Sequence, residues 1–388
     1  MGAIRPLPPP PEQESHHVTV RTASPTLYLG GRPLAVVGRA RVYVCGVTPY
    51  DVTHLGHAAT FVWVDAVDRV LRRLGVQVEV CRNVTDVDDV LFDAAARAGA
   101  HYDRFAAVQQ FHFERDMDAL GVRRPSFEPR AHSYVPQVLA LASALLASGA
   151  AYESAGSVYF RGAEVARASG LDRGEALALL AENGGRTDDP GKQDPLDQAL
   201  WQASAEGEPS WPSPWGAGRP GWHAECTAMA LSTFGSALDL HAGGADLRFP
   251  HHAFESAQAE AATGVSPFAR SWLHVGTVQL DGRKMAKSTG NLVFVADLVE
   301  RSSGPVVRTL LLDRPYSRAW DFTDDALDRA AQRLDDLRVA AGRPGSSDLG
   351  AGAVLDALAD DLDVPRAFDV ALQDGGATAR ELVAALGL

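Results

Sequence analysis

The period of the hydrophobic pattern changes several times along this chain. Arg41 to Cys45 (RVYVC) is a β-prone run that stops at Gly46, and His54 to Arg73 then carries apolar residues at helical spacing until Gly75 closes the helix as a C-cap. Val76 to Val80 opens another strand, and a helix follows from Asp88. Strand, helix, strand, helix in this order predicts an α/β architecture, a doubly wound parallel sheet with helices on both faces. Sheets of this kind bind ligands at the carboxyl ends of their strands. Before this unit, residues 1 to 24 are Pro-rich and polar and read as a disordered tail, and Thr26 to Val37 reads as two short strands around the Gly30-Gly31 turn.

Beyond it, Tyr102 to Asp197 is mostly helical, with one strand at Ser157 to Arg161 and a turn-rich loop from Gly184 to Pro195. Pro209 to Trp222 holds too many turn formers for regular structure and too many aromatics for a linker, which suits a pocket wall. Ser271 to Leu280 is strand-like before the Asp281-Gly282 turn, and the chain from Val295 onward is helical with a break at Gly342 to Gly352. The expected division is 25–101 and 199–294 as two halves of one catalytic domain, 102–198 as an inserted, mostly helical domain, and 295–388 as a C-terminal helical domain.

Composition narrows the classes. The 388 residues are 46% hydrophobic and 22% charged, ordinary values that exclude collagen, coiled coil and wholesale disorder. The longest quiet apolar stretch, Val138 to Ala151, is broken by Ser143 and Ser148 and falls short of the about 18 residues of a membrane span. Near the start, Glu12 and Glu14 stand where a signal peptide needs an apolar core, so a cytoplasmic location is expected. The net charge of −13 disfavours a polyanion such as tRNA as partner. Three cysteines, Cys45, Cys81 and Cys226, cannot make a disulfide framework; core packing, metal binding or chemistry remain for them. A monomer is the expected state.

Three constellations could carry chemistry. In His54-Leu55-Gly56-His57 two histidines three apart share a helix face near an N-terminus, a place that favours phosphate, although a surface or capping role would look the same. Lys284-Met285-Ala286-Lys287-Ser288 sets two lysines in a loop flanked by Gly282 and Gly290, which suits a mobile clamp on phosphate or merely a solvated basic loop. Together and in this order, the two resemble the HIGH and KMSKS signatures of class I aminoacyl-tRNA synthetases. Third, His251 and Glu255 are four apart on one helix face and could meet Cys45 and Cys226 on a zinc ion. By spacing alone, two buried apolar cysteines remain the other reading.

Longer segments carry a closer resemblance. Tyr43 to Asp51 (YVCGVTPYD), Asn83 to Asp89 (NVTDVDD), Gly207 to Trp215, Arg219 to Cys226 (RPGWHAEC) and Gly243 to Asp246 with Phe249 to His252 are similar to cysteinyl-tRNA synthetase over roughly residues 40 to 330. The resemblance implies a Rossmann-like catalytic domain, one zinc per chain on Cys45, Cys226, His251 and Glu255, and Mg²⁺ accompanying ATP. It implies ATP contacts at Gly46, Thr48, Gly56, Gly243, Gly244, Asp246, Lys284, Lys287 and Ser288, and cysteine contacts at Cys45, Thr48, Thr85 and Trp222. His54, His57, Lys284 and Lys287 would be catalytic, stabilising charge on the phosphates while cysteinyl adenylate forms.

One branch fits better than the main enzyme. Thr48-Pro49-Tyr50-Asp51 and Thr53 to Thr60, with Ala59 where the synthetase has Arg, resemble the cysteine ligases of mycothiol biosynthesis. The region after Asn291 is expected to be too short for an anticodon-reading domain. The resemblance implies small-molecule substrates, namely ATP, L-cysteine and the amine of glucosaminyl-inositol. Glu255 departs from that branch, which has three protein ligands to zinc, and Ala286, Ala242 and Ala245 are small-for-small changes. A synthetase lacking the anticodon domain is the alternative. Retention of both histidines and both lysines argues against a non-catalytic sensor.

Overall fold

The computed structural model describes residues 26–50, 52–205, 207–285, 290–345, 347 and 349–388. The expected N-terminal tail, Lys287 and Ser288 lie outside them.

A small hairpin of β1 (Tyr28–Leu29) and β2 (Arg32–Pro33) precedes the catalytic unit. That unit starts with β3 (Arg39–Val47), α1 (Leu55–Arg73), β4 (Gln77–Val84), α2 (Asp89–Arg97) and α3 (Tyr102–Ala119). After the insertion it resumes with α7 (Trp222–Phe234), β9 (Leu240–Gly244), α8 (His251–Thr263) and β10 (Trp272–Val275). The four strands form one parallel sheet in the order β10-β9-β3-β4. β9 was not visible in the pattern, because its sequence LHAGG lacks alternation and ends in two glycines. The outer edge of β4 is covered by residues 126–130, with Arg82 N–H donating to Phe127 O at 3.0 Å and Val84 N–H to Pro129 O at 2.8 Å, so the sheet offers no free edge there.

α1 is buried on nearly all sides, being held between the sheet and the C-terminal helices. Its two buried acids are satisfied one turn on, Asp65 by Arg69 at 2.7 Å and Asp68 by Arg72 at 2.8 Å.

The insertion holds α4 (Val135–Ala147), β5 (Ala151–Ser154), β6 (Ser157–Phe160), α5 (Ala163–Ala168), α6 (Arg173–Glu182), β7 (Gln198–Ala203) and β8 (Gly218–Pro220). The expected strand at 157–161 is β6, and it has partners the pattern did not reveal: β5 to β8 make a four-stranded antiparallel sheet. The expected domain boundary at 198/199 falls at the start of β7, which pairs with β6 before it and β8 after it. The turn-rich 209–222 segment is correspondingly more ordered than expected, for it contains β8 and the first residue of α7.

Downstream, β11 (Val278–Leu280), β12 (Arg283–Lys284) and β13 (Trp320–Asp321) form a three-stranded sheet. Among the described residues six helices follow Asn291: α9 (Val295–Arg301), α10 (Gly304–Leu312), α11 (Asp324–Ala341), α12 (Gly350–Ala359), α13 (Val364–Asp374) and α14 (Gly376–Leu386). They share one hydrophobic core with α1 and the parallel sheet. Inside it, fully buried Arg308 donates to Leu386 O at 2.6 Å and to Leu120 O at 3.2 Å and pairs with Asp65, tying three segments together. Among the described residues no helix is long and apolar enough to cross a membrane.

Candidate active site

The site lies at the carboxyl ends of β3, β4 and β9, where an open parallel sheet is expected to bind ligands. At Cys45 the β3–β4 register breaks, between Val44 and Val47. Gly46 makes this possible: its N–H donates to Asn83 Oδ1 at 2.8 Å, and a Cβ at that position would lie 1.6 Å from Asn83 O. α7 brings in Cys226, and α8 presents His251 and Glu255 from successive turns.

The side-chain ligand atoms of Cys45, Cys226, His251 and Glu255 all lie within 4.8 Å of one another, and all four residues are buried. Cys45 Sγ is 3.3 Å from Glu255 Oε1, and His251 Nε2 is 2.5 Å from the same oxygen. Other buried side chains orient these four. His241 Nε2 holds Glu255 Oε2 at 2.6 Å, His223 Nδ1 meets His251 Nδ1 at 2.7 Å, and Asn83 Nδ2 donates to Cys226 Sγ at 3.4 Å.

The electrostatics match this arrangement. Burial opposes charge on His251, yet the Glu255 carboxylate and the Cys226 sulfur lift it to about 10. Burial would also raise Glu255, but His251 and His241 hold it well below the usual carboxylate range. The Cys45 thiol lowers Cys226 to about 7 against the effect of burial, while Cys45 itself is pushed up by burial. Two sulfurs, one imidazole and one carboxylate form a donor set suited to zinc, and ligands about 2.0–2.3 Å from a common ion stand up to about 4.6 Å apart, close to the spacing here. The described residues therefore fit the metal that the sequence implied.

Of the residues assigned to cysteine, Trp222 stacks on His251 with ring centroids 4.4 Å apart. Thr85 is buried and accepts from Asn83 Nδ2 at 3.0 Å. Thr48 is half-buried just after β3, where its carbonyl accepts from Tyr50 N–H at 2.9 Å.

The phosphate side is built on the start of α1. His54 is its N-cap, with Nδ1 accepting from Gly56 N–H at 3.1 Å, which leaves the ring proton of the neutral imidazole on Nε2. His57 lies beside it with ring centroids 3.8 Å apart. Burial, then His57 and Lys284, lower His54 to about 3. The protein around His57 lowers it to about 4, with Asp246 pulling the other way and Lys284 adding to the depression. Both rings are thus neutral hydrogen-bond donors at pH 7, and positive charge comes from Lys284 and the helix terminus.

Lys284 Nζ is 2.7 Å from Asp246 Oδ2. Gly243 and Gly244, just before Asp246, leave room that a side chain would fill: a Cβ at Gly243 would lie 2.7 Å from the His252 ring, and one at Gly244 2.3 Å from Asp246 Oδ1. After the lysine loop, Asn291 Nδ2 donates to Lys284 O at 3.1 Å, Leu55 N–H to Val293 O at 2.8 Å and Val295 N–H to Thr53 O at 3.1 Å. The two signatures, far apart in sequence, are stitched together at the base of the loop.

This fold and site define a class I synthetase catalytic domain, and a family model described as tRNA synthetases class I (C) catalytic domain matches residues 34–332. Among curated relatives named L-cysteine:1D-myo-inositol 2-amino-2-deoxy-alpha-D-glucopyranoside ligase, that of Acidothermus cellulolyticus is 45% identical over 90% of this chain and 89% of its own length. That of Mycobacterium ulcerans is 46% identical over 89% and 86%, and that of Frankia casuarinae 44% over 90% and 78%. The chain belongs to this ligase family, within the class I synthetase fold. Mycobacterium tuberculosis methionyl-tRNA synthetase in complex with methionyl-adenylate shares the fold at 18% identity, with a TM-score of 0.61 over 90% of this chain and 82% of that one.

Asn83, His223 and His241 were not picked out from the sequence as site residues. Asn83 and His223 lay within segments already noted for their resemblance, but nothing in a single sequence distinguishes a buried orienting side chain from its polar neighbours.

Proposed function

We propose that this protein ligates L-cysteine to the amine of glucosaminyl-inositol at the expense of ATP, through cysteinyl adenylate. The buried Cys45, Cys226, His251 and Glu255 cluster beside the His54, His57 and Lys284 phosphate site carries the reading, because it pairs a site for sulfur with a site for ATP. A zinc ion held by these four residues would supply strong affinity for a thiolate, which sets cysteine apart from serine.

Trp222 and Thr85 flank the bound amino acid and orient its carboxylate toward the α-phosphorus of ATP, which enters with Mg²⁺. As that bond forms and pyrophosphate leaves, the Nε2–H of His54 and the His57 ring donate hydrogen bonds to the phosphates, while Lys284 meets the developing charge. Lys284 must exchange Asp246 for phosphate to do so. Lys287 and Ser288 are assigned to the same role from the sequence. The acceptor, as its neutral amine, then attacks the activated carbonyl, the C–O bond to phosphate breaks and AMP leaves, and the nitrogen gives up a proton to solvent as the amide forms.

The test is mass spectrometry of products from cysteine, ATP and glucosaminyl-inositol, with tRNA as a competing acceptor. Cysteinyl-glucosaminyl-inositol and AMP are expected. Charging of tRNA with no amide product would refute the reading in favour of a synthetase.

A further inference from the structure

The Asp281-Gly282 turn read from the sequence joins β11 to β12 and leads directly into Lys284. Leu280 pairs with Arg283 across it, so the loop holds two residues, and both have positive φ, 54° at Asp281 and 71° at Gly282. This is the geometry of a tight hairpin turn, for which Asp-Gly is a favoured pair. The N–H groups inside such a turn take no part in the ladder and need partners elsewhere. Gly282 N–H finds its partner in β13, donating to Asp321 Oδ1 at 2.9 Å and to Asp321 Oδ2 at 3.1 Å.

The two strands joined by this contact are held very differently. β12 is two residues long, both exposed, and it pairs with β11 only through Gln279 with Lys284 and Leu280 with Arg283. β13 is anchored to the body of the protein. Trp320 N–H donates to Thr277 O at 3.1 Å and Phe322 N–H to Gln279 O at 2.9 Å. The Arg314 guanidinium lies 3.5 Å from the centre of the Trp320 ring, and its Nε–H donates to Leu310 O of α10 at 2.8 Å. Asp321 thus ties an exposed hairpin to a strand fixed on the main core.

That hairpin carries Lys284, which lies against Asp246 and must exchange it for phosphate in the activation step. A charge stabilises a transition state well only when its place is fixed in advance. We propose that Asp321 is a positioning residue for adenylate formation: by holding Gly282 it sets the direction from which Lys284 approaches the phosphates. The proposal rests on the activation step of the ligase reading. It concerns the half-reaction that precedes the acceptor and is independent of which acceptor is used.

Asp321→Ala, Asp321→Asn, Lys284→Ala and the double variant with Asp321→Ala and Lys284→Ala are compared with wild type in single-turnover adenylate formation. Enzyme is in excess over labelled cysteine, which keeps slow rates measurable, and ATP is varied so that the maximal rate and the ATP half-saturation are read separately. Asp321→Ala should lower the maximal rate about three- to ten-fold, the order expected for losing one hydrogen bond at an exposed site, and should change the ATP half-saturation by less. Asp321→Asn keeps an oxygen that accepts from Gly282 N–H, and it should restore the maximal rate to within about two-fold of wild type. In the Lys284→Ala background, removing Asp321 should lower the rate by a smaller factor than in wild type, since the group it positions is gone. An unchanged maximal rate in Asp321→Ala, a loss confined to ATP half-saturation, no rescue by Asp321→Asn, or an equal loss with and without Lys284 would overturn the assignment. Absence of adenylate from the wild-type enzyme would instead overturn the activation reading.

Discussion

Asn83 makes three hydrogen bonds from a fully buried position: Oδ1 accepts from Gly46 N–H at 2.8 Å, and Nδ2 donates to Thr85 Oγ1 at 3.0 Å and to Cys226 Sγ at 3.4 Å. Asn83→Ala removes all three. The Gly46 N–H then lacks an acceptor beside a register break, at a cost of about 1–3 kcal/mol, and the loss at Thr85 adds about 1 kcal/mol. The long contact to sulfur is weaker than either, so the total is on the order of 3 kcal/mol. Part of this falls on the metal site, because loss of an orienting partner typically weakens metal binding by about 10–100-fold, equivalent to about 1.4–2.8 kcal/mol. Zinc competition against a chromophoric chelator measures the affinity, and thermal unfolding with and without zinc measures the remainder. A variant that unfolds more easily but keeps wild-type zinc affinity and cysteine KM would refute the idea that Asn83 positions the site.

Gly46→Ala should abolish cysteine-dependent pyrophosphate exchange, because its Cβ would overlap backbone Asn83 O; wild-type exchange would show that β3 and β4 can separate there. Arg308→Met leaves Asp65 with Arg69 but strands the carbonyls of Leu120 and Leu386, so it should cost about 3 kcal/mol of stability in chemical unfolding, and a loss below about 1 kcal/mol would contradict this. The rings of His54 and His57 should be neutral by NMR at pH 6, and midpoints near 6.5 would refute the depressed values of about 3 and about 4. Because both folded-state values lie below the ordinary 6.5, the stability these histidines contribute is complete above about pH 6.5 and declines as pH falls through their folded values.

The parts of the fold visible in the sequence were those with local signals. β3, α1 and β4 follow from RVYVC, the helical spacing after His54 and the glycine stop at Gly75. β7 and β8 did not, because QALWQA and GRP become strands only through pairing with β6 across the insertion. Among site residues, His251 and Glu255 were readable as a pair one helical turn apart, Cys45 and Cys226 were named as zinc ligands through the resemblance, and the fold brought all four together. The side chains that orient them were not readable, since His241 sits in a strand whose glycines conceal it and Asn83 and His223 differ from surface polar residues only in their burial. The charge state of the two histidines at the start of α1 was also hidden, for it depends on packing and on Lys284.

In the proposed reading, cysteine is activated because its sulfur is read by the buried Cys45, Cys226, His251 and Glu255 cluster. Pyrophosphate exchange into ATP, measured without any acceptor and with cysteine or serine as substrate, reads that sulfur recognition separately from the acceptor. Zinc-loaded protein should support exchange with cysteine and prefer it over serine by about 10⁴-fold or more, as expected of a site built around one polar group of its substrate. Metal-stripped protein should lose that preference. Undiminished preference for cysteine after metal removal, or comparable exchange with serine when zinc is present, would show that the metal cluster does not select the substrate.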